Sequence, residues 1–444
     1  MSEPNNTGHP RAEALREELA RALFSNSKLV AYAILDGAAN PSLLDHLYDG
    51  KRPEFECLYR GELEPDMAEC APYLAKLVPD TPFCNWVISN FWGNHWGIFA
   101  LCREDIQAVR QHLRKLNMIY DPESHNPFLF RYYDPRVLSV LLPTCDVRQC
   151  EAFFGPIQTF YAQAEGEEGV LGFTRNGQAG QVGASPQSLL FIRPEQMEVF
   201  RQAHALRFEN EMVSHCLEFA PELGKAIGED QLRLSVRDGI SRANSYGFTN
   251  RGPIRLYLEL MLLLGSAFDS DPQYPWAASI LSDDAPQMER AELLYEGILD
   301  YQEKVSGPDD CNTREALWNL SFIANQPLNF SSQEFAPAMH REIAMIFPQK
   351  AAYLGGVSIQ ELIREGCHVA KAAGFTTSRG YSLIVVLMFG FGHGCANDPL
   401  YPWIAHTLKD ERIGNPDERA ARLEKRAMTW LHQILEKTPK GVQP

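Results

Sequence analysis

Basic residues are scarce in this sequence relative to acidic ones. The 444 residues include 41 lysines and arginines against 57 aspartates and glutamates, which leaves a formal net charge of −16 at pH 7. Because nucleic-acid binding relies on Lys and Arg that displace counterions from phosphates, this balance argues against a nucleic-acid partner. The same deficit disfavours an anionic membrane surface. One interpretation of the acidic charge is that it keeps the protein soluble. A more specific alternative is that it complements a basic surface on a partner.

Long apolar runs are also missing. The most apolar stretch, residues 383–391, is nine residues long and contains Gly390. A helix that crosses a bilayer needs about 20 such residues. The first ten residues are polar and lack the apolar centre of a secretory signal. We therefore expect a soluble protein that stays in the compartment where it is made.

The cysteines show no pairing pattern. None of the ten belongs to a Cys-x-x-Cys motif, and the closest two are Cys145 and Cys150. In a chain of this size, such scattered thiols are typical of reduced and mostly buried side chains. The sequence therefore predicts free thiols, no functional metal and no cofactor.

Signatures of catalysis are absent as well. The sequence contains no Gly-x-Ser-x-Gly elbow, no His-Glu-x-x-His zinc helix and no Gly-x-x-x-x-Gly-Lys phosphate loop. One alternative is a thiol hydrolase that uses Cys84 or Cys395 with a distant histidine. Such an enzyme requires a depressed thiol pKa in a cleft. Our expectation is that the protein is not an enzyme.

Helical and strand-like patterns alternate in the first part of the chain. Residues 1–27 are expected to form a polar tail and an amphipathic helix, and residues 28–193 a separate domain. Strands separated by helices indicate an α/β or α+β fold for this domain. Strands are predicted at 29–35, 55–59, 96–101, 128–132, 159–163, 170–174 and 189–192, and helices at 83–92, 103–116 and 135–142.

The second part of the chain repeats itself. Residues 232–276 align with 359–403 without a gap, at a constant shift of 127, and 15 of the 45 aligned positions are identical. Each copy has a strongly apolar helix followed by Asp-Pro-x-Tyr-Pro-Trp, whose two prolines turn the chain. The pattern predicts an all-α region of two tandem helical repeats, 195–310 and 325–437. Trp276 and Trp403 are expected to anchor the turns on the bundle, in equivalent environments.

Aromatic residues are dense between positions 83 and 99. They belong either to the core or to a surface that binds a partner, since interfaces are enriched in such side chains. The candidate partner-binding residues in this segment are Trp86, Trp92 and Trp96.

Several motifs resemble a known family. The most specific is Phe-Leu-Phe-Arg-Tyr-Tyr-Asp-Pro-Arg-Val-Leu at 128–138, followed by Leu-Leu-Pro at 141–143 and Phe-Phe-Gly-Pro at 153–156. The opening Tyr-Ala-Ile-Leu-Asp-Gly-Ala at 32–38, the Pro-Tyr-Leu at 72–74 and the Trp-Gly at 96–97 also fit. In this order they are similar to the domain of unknown function DUF4123, which defines the Tap/Tec adaptor-chaperones of bacterial type VI secretion systems. The resemblance covers roughly residues 28–192.

The resemblance implies a cytoplasmic adaptor that binds a toxin effector and delivers it to the VgrG spike protein. Candidate partner-binding residues in the main motif are Arg131, Tyr132, Asp134 and Arg136. The alternative is an internal brace, in which Asp134 caps a helix that starts with Pro135 and pairs with the two arginines.

Two questions stay open from the sequence. An immunity-type protein that blocks a toxin is a second functional alternative. The repeats resemble extensions that follow this domain in some family members, and their role is not established. Our hypothesis is that residues 28–192 contact the cargo, while the helical repeats, residues 195–437, extend that contact or engage the spike.

Overall fold

The computed structural model describes residues 10–50, 52–91, 93–120, 126–164, 169–175, 191–323 and 334–437. The chain divides into two units, Met1–Ala205 and Leu206–Pro444. Each unit is built around two hydrophobic clusters of its own. Among the described residues, no helix is both long enough and apolar enough to cross a membrane.

The first unit combines an antiparallel sheet with helices. Its strands are β1 (Val30–Asp36), β2 (Phe55–Cys57), β3 (Pro72–Leu77), β4 (Gly97–Cys102), β5 (Met118–Tyr120), β6 (Pro127–Leu129), β7 (Ile157–Gln163) and β8 (Val170–Thr174). Its helices are α1 (Pro10–Phe24), α2 (Leu43–Tyr48), α3 (Pro65–Glu69), α4 (Pro82–Asn90), α5 (Ile106–Leu116), α6 (Pro135–Thr144) and α7 (Val147–Phe154). Six strands form one sheet in the order β2-β3-β1-β4-β7-β8, with every neighbouring pair antiparallel. The predicted fold class is thereby confirmed, in its α+β form.

Helices cover both faces of this sheet. On one face, Val109 of α5 belongs to the same buried cluster as Ile34 of β1. On the other face, Val87 of α4 shares a cluster with Leu35. Successive side chains of a strand point to opposite faces, so β1 contributes to both clusters. The central strand β1 is therefore buried on both sides, and this packing fixes the positions of its ends.

Several segments differ from the sequence-based prediction, which contained none of α2, α3, α7 and β5. Strand β3 is not indicated by the sequence, because it is buried on both faces and its residues do not alternate between apolar and polar. The predicted strand 128–132 is wrong in its second half, since β6 ends at Leu129 and a turn follows in which Asp134 N donates to Arg131 O at 3.0 Å. Of the predicted strand 189–192, only the last two residues lie within the described part, where Phe191 forms a single bridge with Tyr120.

The second unit is helical throughout its described part, as predicted. Helix α8 (Pro194–Phe219) crosses the boundary between the two units. The helices that follow are α9 (Pro221–Ile227), α10 (Glu229–Ser245), α11 (Arg251–Leu264), α12 (Pro275–Leu281), α13 (Gln287–Tyr301), α14 (Cys311–Ile323), α15 (Phe335–Ile346), α16 (Pro348–Ala372), α17 (Ser378–Phe391), α18 (Pro402–Leu408) and α19 (Pro416–Lys437).

The duplicated sequence adopts the same backbone twice. Helices α11 and α17 start and end 127 residues apart, and so do α12 and α18. The long apolar helix of each copy ends at a glycine with positive φ, Gly265 at 99° and Gly392 at 91°. The correspondence also extends upstream of the aligned sequence. Gly228 and Gly355, again 127 residues apart, each separate a short helical segment that starts with proline from a long helix.

The two copies contact each other through a reciprocal pair of buried aspartates. Asp271 accepts a hydrogen bond from His393 N at 2.7 Å, and Asp398 accepts one from Ser266 N at 2.9 Å. Ser266 and His393 are equivalent positions, so the two bonds are related by a local twofold axis. A Cβ atom on Gly265 would lie 2.5 Å from a backbone oxygen of the other copy, which explains the glycine at this contact.

The predicted anchors of the two turns are only half-buried. Trp276 lies against Gly297, where an added Cβ would come within 2.6 Å of the tryptophan ring. The ring centroid of Trp403 lies 6.0 Å from that of Phe391. The deeper anchor of the first turn is Tyr274, which is 3% exposed.

Candidate functional site

The two strongest sequence motifs of the first unit meet at the end of β1. Asp36, the last residue of this strand, has a side chain that is 2% exposed and forms an ion pair with Arg131. Its backbone N donates to Trp96 O at 2.8 Å, and its Oδ1 accepts from Ala38 N at 3.1 Å. Residues 95 positions apart in sequence are thus joined at one point. We call Asp36, Trp96, Arg131, Asp134 and Arg136 the motif junction.

Gly37 allows the chain to turn tightly after Asp36. A Cβ atom at this position would lie 2.6 Å from Ala71 O and closer still to Glu69 O. The backbone N of Gly37 donates to the same Ala71 oxygen at 3.0 Å. Only glycine fits such a close backbone approach, so the Asp-Gly pair of the opening motif sets the geometry of the motif junction.

Asp134 caps the helix that follows the motif. Its Oδ1 accepts from Arg136 N at 2.9 Å, and Pro135 occupies the first turn of α6. The Arg136 guanidinium also donates hydrogen bonds to this carboxylate, from Nη2 to Oδ2 at 2.6 Å and from Nε to Oδ1 at 3.0 Å. The predicted cap and the predicted Arg136–Asp134 pair are therefore present. The ion pair of Arg131 is formed with Asp36 instead.

Charge pairing stabilises Arg131 although it is partly buried. Burial by itself opposes the guanidinium charge, but the hydrogen bond to Asp36 and its negative charge outweigh that effect and raise the pKa of Arg131. The side chains of Arg131 and Arg136 are 45% and 42% exposed. Both guanidinium groups are thus held by a carboxylate on one side and open to solvent on the other.

Tyr132 lies inside the core rather than on the surface. It is fully buried, and its hydroxyl donates to Leu113 O at 3.2 Å. Burial raises the pKa of this phenol well above its usual value. The side chain supports the turn between Arg131 and Asp134, but its ring is not presented to a partner.

The aromatic candidates form a stack that reaches the surface. The ring of Trp86 is half-buried and lies 3.8 Å from that of His46 and 5.2 Å from that of Trp96. Trp96 is 3% exposed, and its Nε1 donates to Asn90 O at 3.1 Å. Trp92 lies outside the described residues. Because Trp96 O also binds Asp36, the stack is connected to the motif junction.

Sequence reasoning missed Asp36 and His46 as members of this site. Asp36 stood in the opening motif, but nothing in its spacing indicated a contact with Arg131. His46 belongs to the short helix α2, where its ring packs flat against Trp86. On the same helix, Tyr48 is 60% exposed, but its ring contacts Phe55 instead of the stack. The edge of the stack that reaches the surface therefore contains His46 and Trp86.

The thiols are free, and the two considered as nucleophiles have raised pKa values. All ten cysteines are unpaired. Burial raises the pKa of Cys84 to about 11, and burial likewise raises that of Cys395. Within the described ranges, no group of three or more His, Cys, Asp or Glu side chains is arranged to hold a metal ion.

The motif junction lies in the part of the chain that matches a known domain family. Residues 31–152 match the family model described as "Domain of unknown function (DUF4123)". No curated protein and no solved structure gives a significant match. The matched segment contains every residue of the motif junction and of the aromatic stack. Residues 31–152 are therefore similar to the DUF4123 family, a domain family associated with type VI secretion effector adaptors.

Proposed function

We propose that this protein is a cytoplasmic adaptor-chaperone that binds a toxin effector and loads it onto the VgrG spike of a type VI secretion system. The observation that carries the proposal is the DUF4123 match over residues 31–152. The matched segment includes both partners of the buried Asp36–Arg131 pair. The family motifs thus build one joined structure, which holds an aromatic stack at the surface.

The chemistry of this surface suits a protein partner. The edge of the stack that reaches the surface presents the rings of His46 and Trp86. Tryptophan, tyrosine and arginine are enriched among the residues that dominate the binding energy of protein interfaces. Tyrosine and tryptophan do so because they bury a large area for little loss of conformational freedom. Arg131 and Arg136 add charged donors whose positions are set by carboxylates.

A catalytic role is not part of the proposal. The thiolate form of cysteine is the nucleophile, and a raised pKa removes it at neutral pH. Cys84 and Cys395, the two thiols considered as nucleophiles, are both buried and have raised pKa values. This supports a binding protein over a thiol hydrolase.

The two units provide two separate surfaces for a delivery function. Loading requires simultaneous contacts with cargo and spike, and linking two binding surfaces in one chain raises the effective concentration of the second contact. We assign the cargo contact to the DUF4123 segment. The helical repeats extend this contact or engage the spike.

The test is co-purification of the tagged full-length protein from its native host, read by mass spectrometry. We expect one toxin effector and VgrG in the eluate. A toxin without the spike would favour an immunity-type protein, and neither partner would refute the proposal.

A paired substitution then locates the contact on the stack. Trp86→Ala should weaken cargo binding about 30-fold or more if Trp86 is a hot spot. Phe191→Ala, at a phenylalanine that is 55% exposed in the first unit and lies outside residues 31–152, is the control and should retain cargo. Circular dichroism of both variants verifies that they fold. Equal binding by Trp86→Ala and wild type would show that the stack is not the cargo site.

A further inference from the structure

A mostly apolar cavity of about 160 Å³ lies between α14 and helices of the second helical repeat. Its walls are formed by α14, α15, α17 and α19, and side chains such as Leu317, Ile343 and Trp430 line it. An apolar cavity of about 150 Å³ is known to bind benzene, so this volume is sufficient for one aromatic ring.

Small residues on α17 create this space. Ser382, Val386 and Gly390 line the cavity at intervals of four residues, which places them on one helix face. The equivalent positions of the first repeat, on α11, hold Arg255, Glu259 and Leu263. A Cβ atom at Gly390 would meet no atom within 4 Å, so neighbouring atoms do not require glycine there. Glycine inside a helix is destabilising relative to alanine. Gly390 therefore lowers the stability of α17, and a ligand that fills the open space would offset this loss.

A buried hydroxyl gives the cavity a polar point. Ser382 is 2% exposed, and its Oγ has no hydrogen-bond partner among the described residues. Burial of an unsatisfied hydroxyl is unfavourable. A ligand that combines an apolar ring with a hydrogen-bond donor would satisfy both the space and this oxygen.

The cavity reaches the surface beside an ion pair. Arg379 and Glu424 also line it, with Nε and Oε2 2.9 Å apart, and their side chains are 39% and 25% exposed. Helix α14, which forms part of the wall, carries Trp318 and Phe322 with exposures of 50% and 67%. Exposed aromatic residues of this kind are typical of protein interfaces.

We propose that this cavity receives a tryptophan or tyrosine side chain of a partner polypeptide, whose N–H or O–H donates to Ser382 Oγ. Both residues bury an apolar ring and keep one donor, and both are frequent interface anchors. The choice of a polypeptide as occupant rests on the adaptor function proposed above. The chemistry of the pocket itself rests on its volume, its small residues and Ser382.

Free indole and benzene probe the pocket in the full-length protein, by calorimetric titration and by thermal shift. Indole should bind and raise the melting temperature. Ser382→Ala should weaken indole about three- to tenfold, the worth of one hydrogen bond, and leave benzene unchanged. Gly390→Leu, which introduces the residue of the first repeat, should abolish binding of both probes without lowering the melting temperature. Leu263→Ala, at the equivalent exposed position, is the control and should bind both probes like wild type.

The result that overturns the proposal is absence of indole binding, or indole binding that Gly390→Leu leaves intact. The source of the ring is tested with the partners that co-purify with the wild-type chain. Gly390→Leu should lose one of them, while Leu263→Ala retains all. If Gly390→Leu retains every partner, the occupant is not a partner side chain and the inference fails, although the adaptor function stands. If wild type captures no partner at all, the adaptor function and the polypeptide occupant fail together, whatever indole does.

Discussion

The two helical repeats share a backbone but differ in the chemistry of their outer faces. Residues that shape the chain recur at a spacing of 127, including the glycines that end helices and the Asp-Pro-x-Tyr-Pro-Trp turn. The outer helices have diverged. On α13 the exposed charged residues include Glu289, Glu292 and Glu296, whereas α19 exposes Arg422, Lys425 and Arg426.

This difference shows which positions the architecture constrains. Backbone turns and contacts between the copies permit few residue types, because a side chain there would collide or leave a polar group unpaired. Solvent-facing positions are free of both restrictions. Two copies of one structure can therefore present two different surfaces, one of them beside the cavity lined by Ser382, Val386 and Gly390.

The largest expected effect is loss of a reciprocal aspartate. Asp271→Ala removes the acceptor of His393 N and of Gln273 N, which it binds at 2.7 and 2.8 Å, and should lower the free energy of unfolding by about 3–5 kcal/mol. Asp398→Ala removes the acceptor of Ser266 N and Leu400 N and should cost about 2–4 kcal/mol. Urea denaturation measures both. If only one of the two variants is destabilised, the contact is not reciprocal.

The next effect concerns the glycines at the contact between the copies. Gly265→Ala would place its Cβ 2.5 Å from Phe391 O at a φ of 99°, and should cost about 3 kcal/mol. Gly392→Ala would place its Cβ 3.0 Å from Leu264 O at a φ of 91°, and should cost about 2 kcal/mol. Denaturation curves should therefore rank Gly265→Ala below Gly392→Ala in stability. The reverse order would mean that the backbone around Gly265 adjusts to an added Cβ atom more readily than the backbone around Gly392.

The turn tryptophans should show a smaller and matched effect. Trp276→Ala and Trp403→Ala should each cost about 2 kcal/mol, less than the 3–5 kcal/mol of a fully buried large aromatic residue, because both are half-buried. Chemical denaturation of the two variants gives the comparison. A difference of more than about 2 kcal/mol between them would show that the two turns are not equivalent anchors.

The smallest effect tests a lysine that only the second repeat contains. Lys350 Nζ donates to Phe389 O at 2.6 Å, and burial lowers the pKa of this amine to about 8, although the charge of Asp271 opposes the shift. Above pH 8 the folded state releases a proton that the unfolded state keeps, so stability should rise with pH relative to Lys350→Leu. The expected gain is about 1 kcal/mol between pH 8 and pH 9. The first repeat has a leucine, Leu223, at the equivalent position. If the difference in unfolding free energy between wild type and Lys350→Leu does not change with pH, the shifted pKa is contradicted.

Local signals in the sequence predicted much of the fold. The prediction of a helix at 103–116 followed from its apolar stripe; α5 begins at Ile106, and Ile106, Val109, Leu113 and Leu116 are all buried. The cap at Asp134 followed from a short polar residue before proline. These features depend on neighbours within a few residues, so a single segment contains the information needed to predict them.

The sequence by itself determined the duplicated helical region, the local caps and turns, and the resemblance to an adaptor family. Only the tertiary structure decided that Arg131 pairs with Asp36, that β3 lies within the sheet, and that Asp271 and Asp398 exchange backbone contacts between copies. It also decided that Tyr132 is internal and that a cavity opens over Gly390. The physical reason is distance along the chain. Periodicity and capping act over a few residues, whereas a buried ion pair or a cavity depends on which remote segments pack together.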